Sequence, residues 1–235
     1  MPDLLSPKQL AEYLQLSQRT VYRLLERGDL PAVKVGGQWR FRKAAVDEWL
    51  DVNMQRLDVA SLHALEADEE VGRPSRSIAE LIAASNAQIT VPAGPAEAVV
   101  RAFVRAVQYP EPVSVDLVCE RVLERERLCS TALSGGVALL HTPRSRPRLL
   151  NEHDLVAIGR VEAPIAFGAF DGSPTQTLIL LLARSERDQL VLLAKLTRLV
   201  QESGFLDAFH ATRSAADVIA LVRETEHRVF ASSSR

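Results

Sequence analysis

Apolar positions in the first fifty residues recur at helical spacing and then switch to alternation. Leu10, Ala11 and Leu14 share one face of a helix that Ser6 caps and Pro7 opens. Gln15-Leu16 reads as a turn, and Ser17 caps a second helix that directs Val21, Leu24 and Leu25 inward. Gly28 ends that helix as a C′ glycine, with Pro31 beyond it. Ala32–Val35 and Gln38–Phe41 then alternate as two strands around Gly36-Gly37, the spacing of a two-residue hairpin turn. A third helix over 44–50 closes the unit through Val46, Trp49 and Leu50.

Past residue 52 the pattern fades. Asp68-Glu69-Glu70 and Gly72-Arg73-Pro74-Ser75 read as a solvated joint. From Ser77 onward helix and strand patterns alternate. Helices are predicted at 78–82, 95–108, 115–123 and 215–227, and strands at 88–91, 137–141, 155–161 and 177–183. A long helix opens at Ser185 or Asp188, runs through Leu190, Leu193, Leu196 and Leu199, and ends at Gly204. Continuous apolar strands between amphipathic helices imply a sheet covered by helices. The predicted fold class is therefore a small helix-turn-helix unit with a β-wing followed by an α/β domain built on a mixed sheet. The boundaries are 1–53 for the first domain, 54–76 for a linker, 77–229 for the second domain and 230–235 for a flexible tail.

Charge changes this picture only locally. The 235 residues carry a formal net charge of −2, so no protein-wide basic field exists. Between Arg19 and Lys43, however, seven basic residues (Arg19, Arg23, Arg27, Lys34, Arg40, Arg42, Lys43) stand against Glu26 and Asp29. Release of counterions from phosphates would reward that imbalance. Gln18, Arg19, Thr20, Tyr22 and Arg23 lie on the outward face of the second helix near its start, where side chains meet base edges and phosphates. Lys34, Gly36, Gly37 and Arg40 place a cationic hairpin beside them. The stretch SPKQLAEYL…DEWL resembles excisionase-type, MerR-like winged-helix domains. That resemblance implies a second helix in the major groove and a hairpin on the neighbouring backbone. Double-stranded DNA is the implied partner, and a homodimer is expected because one small unit covers few base pairs.

Other compositional features exclude more than they assign. No apolar run reaches signal-peptide or membrane-spanning length, so a cytoplasmic protein with no membrane partner is expected. Cys119 and Cys129 sit in no CxxC or metal-ligand spacing and are expected to be buried thiols. Histidines at 63, 141, 153, 210 and 227 form no ligand cluster, so no metal and no cofactor is expected. His153, His210 and His227 read as surface polar residues.

The second half carries its own resemblance. The order REx₂CST (from Arg125), SGGVALLH, IGRVEAPIAFGAFDGSP and LILLLARSERDQLVLLAKL is similar to the enzyme IIA domains of the phosphotransferase system. The type is the fructose/mannitol and nitrogen-regulatory class, and the likeness runs from about Ser77 to Glu226. It implies that His141 accepts a phosphoryl group from a histidine phosphocarrier protein. A neutral imidazole at a strand end is a competent nucleophile for that step. Arg125, Ser130, Thr131 and the backbone amides around Gly135-Gly136 are candidate donors to the phosphoryl oxygens. Arg144, Arg146 and Arg148 could hold a phosphate or an acidic partner, or form a solvated loop.

Departures from the family pattern fall inside the site. Gly135 and Leu140 replace the asparagine and proline of the usual GNGIAIPH, and Cys129 stands at a usual glycine. Gln189 occupies the position of a second histidine; it can donate to a phosphoryl oxygen but cannot become cationic. Enzymatic phosphotransfer is therefore left open. Two functions follow from the sequence: a transcription regulator whose IIA-like domain senses phosphotransferase state by phosphorylation or by binding a partner, or a working phosphocarrier that passes phosphate to a sugar permease.

Overall fold

The computed structural model describes residues 4–14, 16–26, 28, 30–53, 77–143, 149–150, 152–169 and 171–231. The chain divides into two compact units, 1–71 and 72–235. The 54–76 linker expectation, Arg27 and the Arg144–Arg148 arginines fall outside the described residues.

In the first unit the order is β1 (Leu4–Leu5), α1 (Pro7–Leu14), α2 (Gln18–Glu26), β2 (Val33–Val35), β3 (Gln38–Arg42) and α3 (Lys43–Asn53). The caps follow the side chains present. Ser6 Oγ accepts from Gln9 N while Gln9 Oε1 accepts from Ser6 N, a reciprocal capping box. Ser17 Oγ likewise accepts from Thr20 N at 3.1 Å. Strands β2 and β3 form an antiparallel hairpin, and β1 adds on the other side of β3. Leu5, Leu10, Leu14, Val21, Leu30, Phe41 and Val46 make the core. Two expectations shift here. Leu24 and Leu25 are half-buried rather than interior, and Leu5 and Phe41 from the small sheet take their place.

The second unit contains α4 (Ile78–Ala83), β4 (Ile89–Val91), α5 (Ala96–Ala106), α6 (Val115–Leu128), β5 (Ala132–Leu133), β6 (Val137–His141), β7 (Leu155–Ile165), β8 (Thr175–Leu182), α7 (Glu186–Gln201), α8 (Phe205–Ala211) and α9 (Ala215–Ala231). Its sheet is mixed, in the order β4-β7-β8-β6-β5. β4 and β7 are parallel, β7 and β8 antiparallel, β8 and β6 parallel, and β6 and β5 antiparallel. Helices α5 and α6 pack against β4, β7 and β6, whereas α4 and α7 lie against β7 and β8. Ala138, Leu140, Leu155, Ala157, Leu178 and Leu180 fill one core with Val100, Phe103 and Val122. The alternate positions Leu139, Val156, Ile158, Ile179 and Leu181 are buried outside that cluster, so both faces of the sheet are covered.

One close approach fixes this layer. A Cβ on Gly159 of β7 would meet Phe103 Cε2 at 2.6 Å and Ile89 O at 2.9 Å, so only glycine lets Phe103 rest on the sheet. Helix α4 is held at its start by Glu226 of α9, whose carboxylate accepts from the amides of Ile78 (2.6 Å) and Ala79 (3.0 Å). Helix α9 runs to Ala231, past the expected limit at 229 and into the expected tail.

Candidate functional sites

Strand β6 ends at His141, paired in register with Leu181 of β8. His141 is 3% exposed and both of its ring nitrogens have partners. Nδ1 lies 2.7 Å from the carbonyl oxygen of Leu139, and Nε2 lies 3.2 Å from Nε of Arg125. A carbonyl only accepts and a guanidinium only donates. The two contacts together therefore put the ring proton on Nδ1 and turn the Nε2 lone pair toward Arg125. Arg125, itself 3% exposed, sits on the last turn of α6 and is steadied by an Nη1 bond to the Cys129 carbonyl at 2.8 Å.

The remaining residues expected around a phosphoryl group divide. Ser130 Oγ donates to the Phe167 carbonyl at 2.7 Å and accepts from Ala132 N. Thr131 Oγ1 donates to Glu126 at 2.6 Å. Both hydroxyl protons are thus directed at protein acceptors. Gln189, 1% exposed in the first turn of α7, gives its Nε2–H to the Thr142 carbonyl at 3.0 Å, one residue past His141. Gly135 and Gly136 adopt φ of 87° and 85°, and a Cβ on Gly136 would come 3.0 Å from Pro174 O. They lie at the opposite end of β6. Five residues at about 3.3 Å each separate Gly136 from His141 by about 16 Å, too far for amides there to reach a group on the imidazole. Contrary to the sequence expectation, the amides around Gly135-Gly136 are not placed to donate to a group on His141.

Several secondary readings also change. Glu126 was not singled out by sequence; its carboxylate takes the amide of Thr131 as well as the hydroxyl. No periodicity marks a contact across the end of a helix. Cys119 is buried, and burial pushes its thiol upward, but Cys129 is only half-buried. His210 is half-buried rather than a surface residue, with Nε2 3.0 Å from Thr177 Oγ1. Among the described residues no cluster of His, Cys, Asp or Glu could hold a metal ion. No helix among them is long and apolar enough to cross a membrane.

In the first unit Gln18, Arg19, Tyr22 and Arg23 are exposed on α2, and Thr20 is half-buried. Lys34 is exposed on the hairpin with its ammonium 4.7 Å from the centre of the Trp39 ring. The Arg40 guanidinium is held by Gln38 Oε1 at 2.7 Å and the Trp39 carbonyl at 3.0 Å. Gly36 and Gly37, at φ of 57° and 76°, form the exposed turn between them. Lys43 departs from the cationic set. It starts α3, bridges to Asp47 at 3.0 Å and lies over the Tyr13 ring, while the Tyr13 hydroxyl donates to Asp47. Those contacts anchor α3 to α1.

The chain thus carries a helix-turn-helix unit followed by an α/β domain in which a buried histidine ends an interior strand of a mixed sheet. Residues 80–225 match the family model of the phosphoenolpyruvate-dependent sugar phosphotransferase system, EIIA 2. The chain belongs to that family. Residues 4–53 match a helix-turn-helix domain model. A nitrogen regulatory protein of Bradyrhizobium diazoefficiens is 34% identical over 107 residues, covering 45% of this chain and 67% of the relative. A Mycobacterium tuberculosis protein described as a candidate for DNA binding is 40% identical over 51 residues, 22% of this chain and 65% of its own length. The crystal structure of nitrogen regulatory protein IIA-Ntr from Neisseria meningitidis superposes with a TM-score of 0.55 at 24% identity, covering 62% of this chain and 98% of that one.

Proposed function

We propose that this chain is a cytoplasmic, DNA-binding transcription regulator whose IIA domain senses phosphotransferase state by accepting a phosphoryl group on His141. Its partners in this reading are an operator in double-stranded DNA and a histidine phosphocarrier protein. The reading is carried by the His141–Arg125 pair, set in a IIA domain on the same chain as a helix-turn-helix unit.

The chemistry follows from the proton placement. The donor's P–N bond breaks as a bond forms between phosphorus and His141 Nε2, and the donor ring leaves with the bonding pair. Nδ1–H stays on His141, and the positive charge that develops on the ring faces the Leu139 carbonyl. Arg125 loses its acceptor when Nε2 bonds to phosphorus, and its guanidinium then donates to the phosphoryl oxygens. Ser130, Thr131 and Gln189 support the loop and strand end rather than meeting the group directly.

Gln189 favours a sensor over a carrier. Its amide is committed to the Thr142 carbonyl and supplies no second titrating ring for rapid onward transfer. A phosphoryl group adds about two negative charges. In physiological salt, direct repulsion of DNA by that charge is screened beyond about 8 Å. Coupling therefore acts through a changed interface, and a homodimer that sets the spacing of two helix-turn-helix units provides one. Operator binding should be measured by the full-length chain with and without phosphorylation, beside the fragment 1–60. An affinity that changes with phosphorylation and is lost in the fragment supports the reading. Equal affinities in all three cases refute it.

A further inference from the structure

We propose that Glu126 is a positioning residue for His141: it anchors the backbone link that keeps the ring proton on Nδ1 and the Nε2 lone pair toward Arg125. The kinetic part of this inference rests on His141 being the phosphoryl acceptor; the tautomer part does not.

The connection runs through three consecutive links. Glu126, half-buried at the end of α6, accepts from the Thr131 amide at 3.0 and 3.2 Å and from the Thr131 hydroxyl at 2.6 Å. Thr131 in turn accepts, through its carbonyl, the Leu139 amide at 3.1 Å. The Leu139 carbonyl accepts Nδ1–H of His141 at 2.7 Å. Strand β5 begins only at Ala132, whose pairing with Ala138 is the last in the ladder. Thr131–Leu139 is thus one rung beyond the strand, and the Glu126 carboxylate holds it from outside.

Thr131 is 5% exposed, so its amide and hydroxyl need acceptors inside the protein. A carboxylate serves both with charge-assisted bonds, shorter and stronger than neutral ones. Arg125 and Glu126, adjacent in sequence, consequently hold opposite sides of one ring: Arg125 directly at Nε2, and Glu126 at Nδ1 through the backbones of Thr131 and Leu139. The same logic governs metal-bound histidines, where the partner of the second nitrogen fixes the tautomer and the ring orientation.

The test compares full-length wild type with Glu126→Gln, which keeps side-chain size and one acceptor oxygen, and with Glu126→Ala. Nitrogen-15 NMR of His141 in mildly alkaline buffer reads the tautomer, and transfer from a purified histidine phosphocarrier reads kcat and KM. Wild type should be an Nδ1–H imidazole. Both variants should move part of the population to Nε2–H, Ala further than Gln, and kcat should fall about tenfold or more with KM for the donor unchanged. A purely structural Glu126 would leave the tautomer as in wild type, and that result overturns the proposal. A wild type that takes no phosphoryl group removes the acceptor reading of His141, while the tautomer comparison still decides the role of Glu126.

Discussion

Arg125 Nε lies 3.2 Å from Nε2 of His141, so the guanidinium occupies the direction from which a phosphoryl group would approach. In the proposed transfer the arginine exchanges its contact with the ring for contacts with the phosphoryl oxygens. Arg125→Ala should lower the rate of phosphorylation about 10²- to 10³-fold, as loss of a preorganised donor does. Arg125→Lys should recover little of it, because one ammonium cannot hold the Cys129 carbonyl and meet the group with a planar fork. Rapid-quench measurement with a saturating phosphocarrier checks both.

His210 gives the second unit an acid-sensitive contact. Burial holds its ring below the ordinary value of 6.5, with the Arg160 guanidinium acting in the same direction and Asp207 opposing. As pH falls below about 6.5, the unfolded chain takes up this proton before the folded one. The His210 contribution is therefore complete above that pH and declines through the acid range until the folded ring titrates as well. Denaturant titrations across pH should show a shallower acid loss of stability in His210→Gln than in wild type. Parallel curves would show that the ring contributes nothing to the slope.

Gly159→Ala tests the close approach of α5 to the sheet. The new methyl group meets both Phe103 and the Ile89 backbone, which cannot both yield without opening the β4–β7 pairing. A loss of about 1–3 kcal/mol is expected from overpacking of this kind, measured as a lower urea midpoint with an unchanged slope.

The first unit makes separate demands on its cations. Arg19→Ala or Arg23→Ala on the exposed face of α2 should each cost about 1–3 kcal/mol where the side chain reads a base, and should relax preference at that position. Lys34→Ala or Arg40→Ala on the hairpin should weaken binding to all sequences and flatten the salt dependence. Lys43→Ala should instead lower stability, because Lys43 is spent on Asp47 and Tyr13. Mobility shifts at several salt concentrations, with thermal melts alongside, separate the two outcomes.

Much of the architecture was legible because local signals agreed. Ser17, Ser77, Ser114 and Ser214 cap helices that begin where the sequence placed them, and of the two starts open for the long helix, Ser185 is the cap. The apolar run ending at His141 is the predicted strand. What escaped notice lacked such signals. β5 is two residues long, and α8 follows Gly204, which reads as an end although its left-handed backbone leads straight into a new helix. Helix α6 continues five residues past the predicted Leu123 through the charged run Glu124–Arg127, where no apolar spacing marks it. That extension puts Arg125 beside His141. The Leu139 carbonyl that places the ring proton is backbone, so no residue type announces it. Gly135-Gly136 misled for the opposite reason: adjacent to the motif in sequence, the pair lies a full strand away in space.

His141 is proposed to take a phosphoryl group on Nε2. The direct measurement is phosphorus-31 NMR of the full-length chain after incubation with phosphoenolpyruvate, the general phosphotransferase enzyme and a histidine phosphocarrier, with His141→Ala in parallel. The expected result is one acid-labile phosphohistidine signal with the shift of an Nε2 adduct, absent from His141→Ala and retained in His153→Ala. No signal, an Nδ1 adduct, or a signal that survives in His141→Ala would contradict it.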